Sequence, residues 1–392
     1  GRDAPTAKIM LVPEAWHDAD LPPEQKAMYS YLASVTEPWD GPAALAMTDG
    51  RWAVAGVDRS ALRPLRYTET NDGLLIVGSE TGMVPVPEAT VVRKGRLGPG
   101  EMIAVDLDAG GVLADAAIKA RVASEYPYGE LVSRFRHFRD LPGAPAKAET
   151  LRGDDLTRFQ VAAGLTLEDL ELILAPMVQT GKEAVGSMGD DTPLAVISDR
   201  PRGLSQFFRQ TFAQVTNPPI DSLRETRVMS LKTRFGNLAN ILDTSDQGSN
   251  VLVLDSPVLT DADWYRLRAS FGAQAAEIDC TYPAHGGPER LRAAIADIRA
   301  AAERAVIEGR TELFLTDEAM GPDRLGMQMI LAAAAVHTHL IRRGLRSYAS
   351  VNVRSAGCLD THGLAVLIGV GATTVNPWLA EASIADRHVR GL

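Results

Sequence analysis

Helix and strand patterns alternate along the second half of this chain, and the alternation limits the fold more than any other feature. Short apolar runs predict strands from Val251 to Leu254 and in AAEIDCTY, ELFLTD and ASVNV. Helices are predicted from Gly287 to Glu308 and from Asp323 to Arg343, and Thr260 with Asp263 predicts the cap of another. GLAVLIGVGA is predicted as a buried strand. Because strands that alternate with helices lie parallel, a parallel sheet or a (β/α) barrel is expected.

Residues 43–113 show a different pattern, which is typical of antiparallel strands. ALAMTDGRWAVAGVD has two alternating runs around Asp49-Gly50, the strongest short-range signal for a hairpin. Further strands are predicted in GLLIVGSE, ATVVRK and EMIAVDL, so we expect an antiparallel meander. Before them, IMLVPEAW is predicted as a strand and Pro23 to Ser34 as a helix. The first part of the chain is therefore expected to be a β-rich or layered α/β domain.

The stretch from Gly181 to Glu225 combines polar loops with a predicted strand and helix. PLAVIS is predicted as a strand and GLSQFFRQTFAQV as a helix. TNPPID follows, and its two prolines favour an extended, stiff loop. Loops on a rigid scaffold carry function disproportionately, so this stretch is the strongest candidate for a functional role. Upstream, the Pro- and Ala-rich run from Leu141 to Gly153 is predicted to be a linker.

Composition places the chain among soluble globular proteins of two or three domains. Its 392 residues are 45% apolar and 23% charged. The net charge of −10 is spread without long runs, which argues against a nucleic-acid partner. No run of apolar residues is long enough to predict a membrane span. Cys280 and Cys358 are isolated thiols, which suit a reducing cytosol and lack the spacing of a zinc site.

Short motifs predict neither a catalytic nor a metal site within this chain. GVGATTV has two glycines of a dinucleotide fingerprint but Thr374 at the position of the third, so a structural turn is the better interpretation. His337 and His339 are two residues apart in a predicted helix and point to different faces, unlike a metal-binding pair. Asp190 and Asp191 are interpreted as a helix cap or a solvated turn.

The segment DRSALRPLRY leaves two interpretations open. It follows a predicted hairpin strand and begins at Asp58, with Arg63 five residues later. One interpretation is an ion-pair cluster on the surface. The other is a buried pair between Asp58 and Arg63 that fixes a loop beside an active site, since arginine binds carboxylates with two hydrogen bonds.

Several segments together carry a specific resemblance that extends over essentially the whole chain. They are EPWDGPAALAMTDGRW, DRSALRPLRY, GSETGMV, KGRLGPGEM, GKEAVGSMGDDTPLAVISDR, FRQTFAQVTNPPIDSLRE, VMSLKTRFGN, LTDEAMG, AVHTHLIRRG and LAVLIGVGATTVNPWLAE. In this order they resemble the large (alpha) subunit of glutamate synthase, and most closely its bacterial, NADPH-dependent form. One departure lies at Ser60-Ala61, where the family usually has Asn-Gly.

The resemblance implies an α/β protein with two domains. Residues 1–140 would be the C-terminal part of a type-2 glutamine amidotransferase domain, which has the layered α/β/β/α fold of Ntn-type hydrolases. Residues 141–153 would be the linker, and residues 154–392 the central domain, which resembles a rudimentary (β/α) barrel. Because the chain starts at Gly1 without an initiator methionine, we expect it to be a piece of a longer polypeptide.

The resemblance also implies the reaction of the complete enzyme, a cytoplasmic NADPH-dependent oxidoreductase that acts on CH–NH₂ donors. That enzyme converts glutamine, 2-oxoglutarate and reducing equivalents into two glutamates. Its cysteine nucleophile would lie upstream of this chain, and its FMN and iron–sulfur residues downstream. NADPH would act through the small (beta) subunit. No catalytic residue, cofactor or metal is expected in this segment, whose partners would be the remaining domains and the small subunit. The chain alone is expected to be inactive.

Two groups of site residues follow from the resemblance. The TNPPID loop would border a tunnel that carries ammonia, lined by Thr216, Asn217, Pro218 and Ile220. A stiff, neutral and largely apolar wall suits a conduit that must not protonate ammonia. A structural role near the glutaminase site would belong to Asp58, Arg59, Arg63 and Glu80.

An alternative from another functional class is also open. The chain could be a non-catalytic binding or assembly module that retains the scaffold. The reading frame on either side of Gly1 and Leu392 separates the two hypotheses. A cysteine start upstream and an FMN barrel downstream support the enzyme, whereas stop codons at both ends support the module.

Overall fold

The structure is a computed structural model that describes residues 1–39, 41–143, 151–183, 196–197, 199, 202–209, 225, 229–235 and 251–392. The chain divides into two compact units. The first comprises Gly1–Phe135, Pro218–Ser230 and Asn240–Val251, and the second comprises Arg136–Asn217, Leu231–Ala239 and Leu252–Leu392.

The first unit contains four helices and seven strands among its described residues. The helices are α1 (Ala4–Leu11), α2 (Pro23–Val35), α3 (Asp115–Glu125) and α4 (Tyr128–Ser133). The strands are β1 (Ala44–Thr48), β2 (Trp52–Val57), β3 (Arg66–Thr70), β4 (Leu75–Gly78), β5 (Val91–Arg96), β6 (Met102–Asp106) and β7 (Val112–Ala114). They form two antiparallel sheets, one in the order β1-β2-β6-β7 and the other in the order β4-β3-β5.

The two sheets of the first unit share an apolar core. Ala55, Val57 and Ile103 of the first sheet pack with Leu65 and Leu97, which lie next to the second sheet. Helices α1 and α3 contact β2 and β6 of the first sheet. The predicted hairpin at Asp49-Gly50 is confirmed as β1 and β2, but the predicted meander is wrong, because β2 pairs with β6. The predicted layered α/β fold is confirmed.

The beginning of the chain is a helix, so the strand predicted in IMLVPEAW is wrong. Asp3 caps α1, since its Oδ1 accepts a hydrogen bond from the Thr6 amide at 3.0 Å. Pro5 lies in the first turn, where its missing N–H leaves no helical bond unmade. Ala4 and Lys8, one helical turn apart, are both buried. A buried face with the period of a helix explains this stretch better than a strand does.

The second unit alternates strands and helices. The strands are β8 (Arg136–His137), β9 (Thr233–Phe235), β10 (Leu252–Leu254), β11 (Ala275–Asp279), β12 (Thr281–Pro283), β13 (Glu312–Thr316), β14 (Arg324–Gly326), β15 (Ser350–Arg354) and β16 (Thr374–Asn376). The helices are α5 (Gly153–Ala162), a π-helix (Asp169–Leu174), α6 (Ala175–Thr180), α7 (Asp261–Phe271), α8 (Pro288–Ile307), α9 (Met329–Arg342), α10 (Thr361–Gly369) and α11 (Trp378–Arg390).

A parallel sheet in the order β11-β13-β15-β16 forms the centre of the second unit. Every residue of β13 and β15 is buried, as expected for parallel strands covered on both faces. Helices α8 and α9 contribute to the core cluster against this sheet. Strands β8, β10 and β9 form a second, mixed sheet. The predicted alternation with parallel strands is confirmed, and so is the cap of α7 by Thr260 and Asp263.

Several predictions in the second unit are wrong. GLAVLIGVGA lies mostly in helix α10, which Asp360 caps by accepting a hydrogen bond from the Gly363 amide at 2.7 Å. Residues 324–326, predicted as the start of a helix, form β14 instead, and the helix begins at Met329. In PLAVIS, the described residues Val196 and Ile197 form an exposed turn, so the predicted buried strand is wrong there. In GLSQFFRQTFAQV, Leu204–Phe207 is a short 3₁₀ helix, and residues 210–215 lie outside the described residues, as does the TNPPID loop.

The turn after β2 contains an unusual backbone conformation. Ala61 has a φ of 49° and is the only non-glycine residue with positive φ in the part of the chain that the structure describes. Its amide donates to the Asp58 carbonyl oxygen at 3.0 Å, which closes the turn. A β-carbon is strained in the left-handed region, so this turn has a backbone suited to glycine.

We therefore expect Ala61→Gly to stabilise the protein. The left-handed conformation costs a non-glycine residue about 1–2 kcal/mol, and the extra flexibility of glycine in the unfolded chain offsets part of the gain. A net increase of about 1 kcal/mol in the free energy of unfolding is expected from denaturant titration. The control is Ala46→Gly in the exposed strand β1, which should lower it by roughly 0.5–1 kcal/mol. Destabilisation by both substitutions would contradict the strained turn.

Candidate functional site

The loop after β2 is organised by the carboxylate of Asp58. Only 2% of this residue is exposed. Its Oδ2 accepts a hydrogen bond from the Ala43 amide at 2.9 Å, and its Oδ1 accepts from the Ser60 amide at 2.9 Å and the Leu62 amide at 3.4 Å. The carboxylate thus satisfies backbone donors on both sides of the loop, and it acts as a template for the loop conformation.

The predicted ion pair between Asp58 and Arg63 is wrong. Both residues lie in the described part of the chain, and the Asp58 oxygens bond to backbone amides rather than to the guanidinium. Arg63 is exposed. The physical reason is proximity: the amides of the turn itself reach the carboxylate without ordering a long side chain.

The other two residues predicted to lie near a glutaminase site are less buried. Arg59 is half-buried beside Asp58, and Glu80 is exposed in the turn after β4. Of the group, Asp58 alone is fully buried. The role of these residues beside a glutaminase site stays a prediction.

The predicted tunnel residues Thr216, Asn217, Pro218 and Ile220 lie outside the described residues. The nearest described segment before them, Leu204–Phe207, is a short 3₁₀ helix. Its Leu204 amide donates to Oε1 of Gln328 at 2.7 Å. The Ser205 carbonyl oxygen lies 2.9 Å from Nε2 of His362. Helices α9 and α10 thus contact the chain shortly before the TNPPID motif.

Polar side chains converge where the strands of the parallel sheet end, which is the edge where open α/β sheets bind ligands. Arg354 ends β15, and its side chain is only 3% exposed. Its Nη1 donates to Asp261 Oδ1 at 2.6 Å and to Oδ1 of Asn376, and its Nε donates to Glu318 Oε2 at 3.2 Å. Arg354 therefore connects β15 with α7, with the residues after β13 and with the end of β16.

Aromatic rings complete the environment of this guanidinium. Its Cζ lies 5.3 Å from the ring centroid of Tyr265 and 5.4 Å from that of Trp378. Burial lowers the pKa of Arg354, but hydrogen bonds and charge from Asp261 and the charge of Glu318 raise it above its ordinary value. Three nitrogens already donate to protein oxygens, so the guanidinium ties the sheet edge together rather than binding a substrate.

Asp317 forms a second buried contact at the same edge. Its Oδ1 accepts a hydrogen bond from Trp378 Nε1 at 2.9 Å, and its Oδ2 accepts from the Ala356 amide at 2.9 Å. Burial raises the pKa of Asp317 to about 6, although these hydrogen bonds act in the opposite direction. A raised pKa can mark a catalytic acid, but here both oxygens are bound by donors of the fold.

The thiols are poor candidates for a nucleophile. Cys280 and Cys358 are both buried. Burial raises the pKa of Cys280 well above its usual range and that of Cys358 to about 12. Because the thiolate is the reactive form, both side chains are inert at neutral pH.

The histidines and acids offer no metal site among the described residues, where no group of three or more potential ligands comes together. His339 Nε2 lies 2.6 Å from Glu303 Oε2, and His337 Nδ1 accepts a hydrogen bond from Arg346 Nε at 3.0 Å. Burial lowers the pKa of His337. These contacts join α9 to its neighbours. No described helix is both long and apolar enough to cross a bilayer.

The GVGATTV motif is a turn between α10 and β16 rather than a cofactor loop. A dinucleotide fingerprint needs a strand before its glycines and a helix after them, and here that order is reversed. Gly371 has a φ of 114°, and a β-carbon there would lie 2.3 Å from the His337 ring. The glycine is explained by close packing.

Two family models match consecutive parts of the chain. Residues 1–131 match the model of class-II glutamine amidotransferases, and residues 158–391 match the model of the glutamate synthase central domain.

Similar proteins carry related descriptions. The chain is 58% identical to a glutamate synthase [NADPH] large chain of Azospirillum brasilense, over 100% of this chain and 26% of the relative. It is 38% identical to the corresponding protein of Bacillus subtilis, over 98% of this chain and 25% of the relative. It is 40% identical to ferredoxin-dependent glutamate synthase 2 of Synechocystis, over 98% of this chain and 25% of the relative. The chain thus spans about a quarter of the length of these relatives.

Replacement of Asp317 provides a test of its raised pKa. The pKa is about 4 in the unfolded chain and about 6 in the fold. Between these values the native state binds more protons than the unfolded state, so the free energy of unfolding falls as pH rises, by roughly 3 kcal/mol in total. Asp317→Asn does not titrate and keeps an oxygen for the Trp378 indole. We expect the free energy of unfolding of the wild type, minus that of the variant, to decline by this amount between pH 4 and 7.

Denaturant unfolding at a series of pH values measures this difference. The control Asp297→Asn, at an exposed position of α8, should follow the wild-type curve. If the Asp317→Asn curve ran parallel to that of wild type, the raised pKa would be refuted.

Proposed function

Because this chain belongs to the glutamate synthase family, we propose that it forms, within a longer polypeptide, the end of a glutaminase domain and the central domain after it. The complete enzyme would convert glutamine, 2-oxoglutarate and reducing equivalents into two glutamates. The observation that carries the proposal is the order of the two matches. An amidotransferase match over residues 1–131 is followed by a central-domain match over residues 158–391. Relatives with this sequence arrangement are described as glutamate synthases.

The proposed boundaries place the glutaminase part at residues 1–140, a linker at 141–153 and the central domain at 154–392. Arg266 bears on this division, because its Nε donates to the Pro142 carbonyl oxygen at 3.0 Å and its Nη2 donates to that of Arg139 at 3.1 Å. The beginning of the proposed linker is thus attached to α7 of the central part.

The proposed cofactors belong to other parts of the enzyme. FMN and an iron–sulfur cluster would be bound by downstream domains, and NADPH by a small subunit in the cytoplasm. The name of the Azospirillum relative, with 58% identity, favours NADPH over ferredoxin as the electron donor. The sheet edge around Arg354 fits a structural role for this segment, since its polar groups bind one another.

In this proposal the central domain borders the path of ammonia. Thr216 and Asn217 would supply neutral hydrogen-bonding atoms. Pro218 would make the wall stiff, and Ile220 would give it an apolar surface. Asp58, Arg59, Arg63 and Glu80 would support the glutaminase site from the first unit.

The chain alone should not hydrolyse glutamine. Its two thiols are buried and have raised pKa values, so neither can act as the nucleophile. Purified chain would be incubated with glutamine and the release of ammonia followed, with the complete enzyme as positive control. Turnover that alkylation of Cys280 or Cys358 abolishes would contradict this expectation.

A bulky residue in the TNPPID loop should uncouple the two half-reactions of the complete enzyme. Thr216→Phe is expected to obstruct a conduit while both reaction centres stay intact. Glutamine-dependent glutamate synthesis should then fall, synthesis from added ammonia should persist, and ammonia from glutamine should escape to solvent. The control is Thr180→Phe at the exposed end of α6.

Measurement of both partial reactions in the same preparation decides this point. Equal loss of the two would identify the loop as a folding element. Coupling at the wild-type level would show that ammonia does not pass Thr216.

A further inference from the structure

A lysine is buried beneath the first sheet, where a charged side chain is rarely found. Lys8 on α1 is 1% exposed. Its aliphatic part packs against Gly56 of β2, where an added β-carbon would lie 2.7 Å from the lysine Cε. Its Nζ donates a hydrogen bond to the Gly100 carbonyl oxygen at 2.9 Å. The close fit at Gly56 and this bond give the ammonium a defined position.

Gly100 connects this ammonium to the loop that Asp58 organises. The Gly100 amide donates to the Asp58 carbonyl oxygen at 2.9 Å, and the same oxygen accepts from the Ala61 amide at 3.0 Å. Gly100 has a φ of 72°, and an added β-carbon would lie 2.3 Å from Cβ of Glu14. The turn at Gly100 is therefore held between the Lys8 ammonium and the Asp58 loop, and little room is left for adjustment.

The charges around Lys8 come from the elements packed against α1. They are Lys119 and Asp115 of α3, Glu14 after α1, Tyr29 of α2 and Asp58 after β2. The Lys119 ammonium pairs with Glu14 at 2.9 Å and with Asp115 at 2.7 Å, and the Tyr29 hydroxyl donates to Glu14 at 2.7 Å. The carboxylates of Glu14 and Asp115 are thus already engaged with Lys119.

This environment moves the titration of Lys8 toward neutral pH. Burial, followed by the charge of Lys119, lowers the pKa of Lys8 to about 8, and the carboxylates compensate only in part. The hydrogen bond to Gly100 is therefore charge-assisted at pH 7 and weakens as the ammonium loses its proton above pH 8.

We propose that Lys8 is a positioning residue for glutamine hydrolysis, which sets the Asp58 loop through Gly100 and strengthens glutamine binding while its ammonium is charged. The inference rests on the proposed function, because the loop would support the glutaminase site of the complete enzyme. It adds a residue that acts through Gly100 and a direction of pH dependence.

The test uses the complete enzyme and the neutral variant Lys8→Met, which preserves the length of the apolar side chain. Loss of a charge-assisted hydrogen bond should raise the KM for glutamine about tenfold at pH 7. Synthesis from added ammonia should be unchanged, which shows that the variant is folded. The matched control is Lys26→Met on α2, where the lysine is exposed and the KM should stay at the wild-type value.

The pH profile separates positioning from mere packing. In wild type, the KM for glutamine should rise between pH 7 and 9, beyond any rise in Lys8→Met, because only wild type loses a charge there. The same rise in both proteins, or a wild-type KM that is flat over this range, overturns the inference. The inference is also overturned if the KM of Lys8→Met for glutamine equals that of the wild type at pH 7.

Failure of the proposed function and failure of the role of Lys8 give different results. A complete wild-type enzyme that does not hydrolyse glutamine refutes the proposed function itself. If Lys8→Met also loses the ammonia-dependent reaction, the variant is misfolded, and the wild-type profile alone decides: a flat KM contradicts the role of Lys8, and a rise above pH 8 supports it.

Discussion

The second unit depends on one buried guanidinium, that of Arg354. Taking this charge out of water is unfavourable, and only well-placed partners make it tolerable. Asp261, Glu318 and Asn376 supply them from three different parts of the chain. Asp261 begins α7, Glu318 follows β13 and Asn376 ends β16, so these contacts fix how the three elements meet. Removal of the arginine would leave two partly exposed acids, Asp261 and Glu318, without their counter-charge.

The same contacts engage the polar groups that a ligand at this edge would need. Polar groups at the ends of parallel strands form ligand sites when their hydrogen-bonding atoms face open space. Here Arg354 and Asp317 bond to groups of the protein itself. Their shifted pKa values follow from burial and from these partners, which is why a shifted pKa alone does not identify a catalytic group. The geometry supports a central domain that serves as a scaffold.

How far the sequence predicts the fold depends on the kind of signal. Turn chemistry was reliable, as the hairpin at Asp49-Gly50 and the capping box at Thr260 show. Uniformly apolar runs were not, because they have no periodicity that separates strand from helix. In two of these failures an aspartate precedes a helix, Asp3 before α1 and Asp360 before α10, and it caps the first turn. Attention to N-caps would have corrected both predictions.

Site residues were harder to predict for a different reason. Arg354 and Asp261 are 93 positions apart, and their contact follows from strand order and register, which a single sequence does not reveal. Their only sequence signal is a polar residue directly after an apolar run, as in VNVR and VLTD. Asp58 is buried, as one of the two interpretations predicts, but its partners are local amides rather than Arg63. Ordering the long Arg63 side chain would cost conformational entropy, whereas the amides of the turn are already in place.

Two of the buried cations, Lys8 and Arg354, show why residue type decides which part of the chain can respond to pH. A guanidinium keeps its charge at any physiological pH, and the charged partners of Arg354 stabilise that charge further. A buried ammonium can lose its proton, and for Lys8 burial and Lys119 favour the neutral form. Arg354 can therefore only hold its sheet edge together, whereas Lys8 can change the strength of a hydrogen bond near neutral pH. Exchange of the two residue types would remove the response from the first unit and weaken the contact in the second.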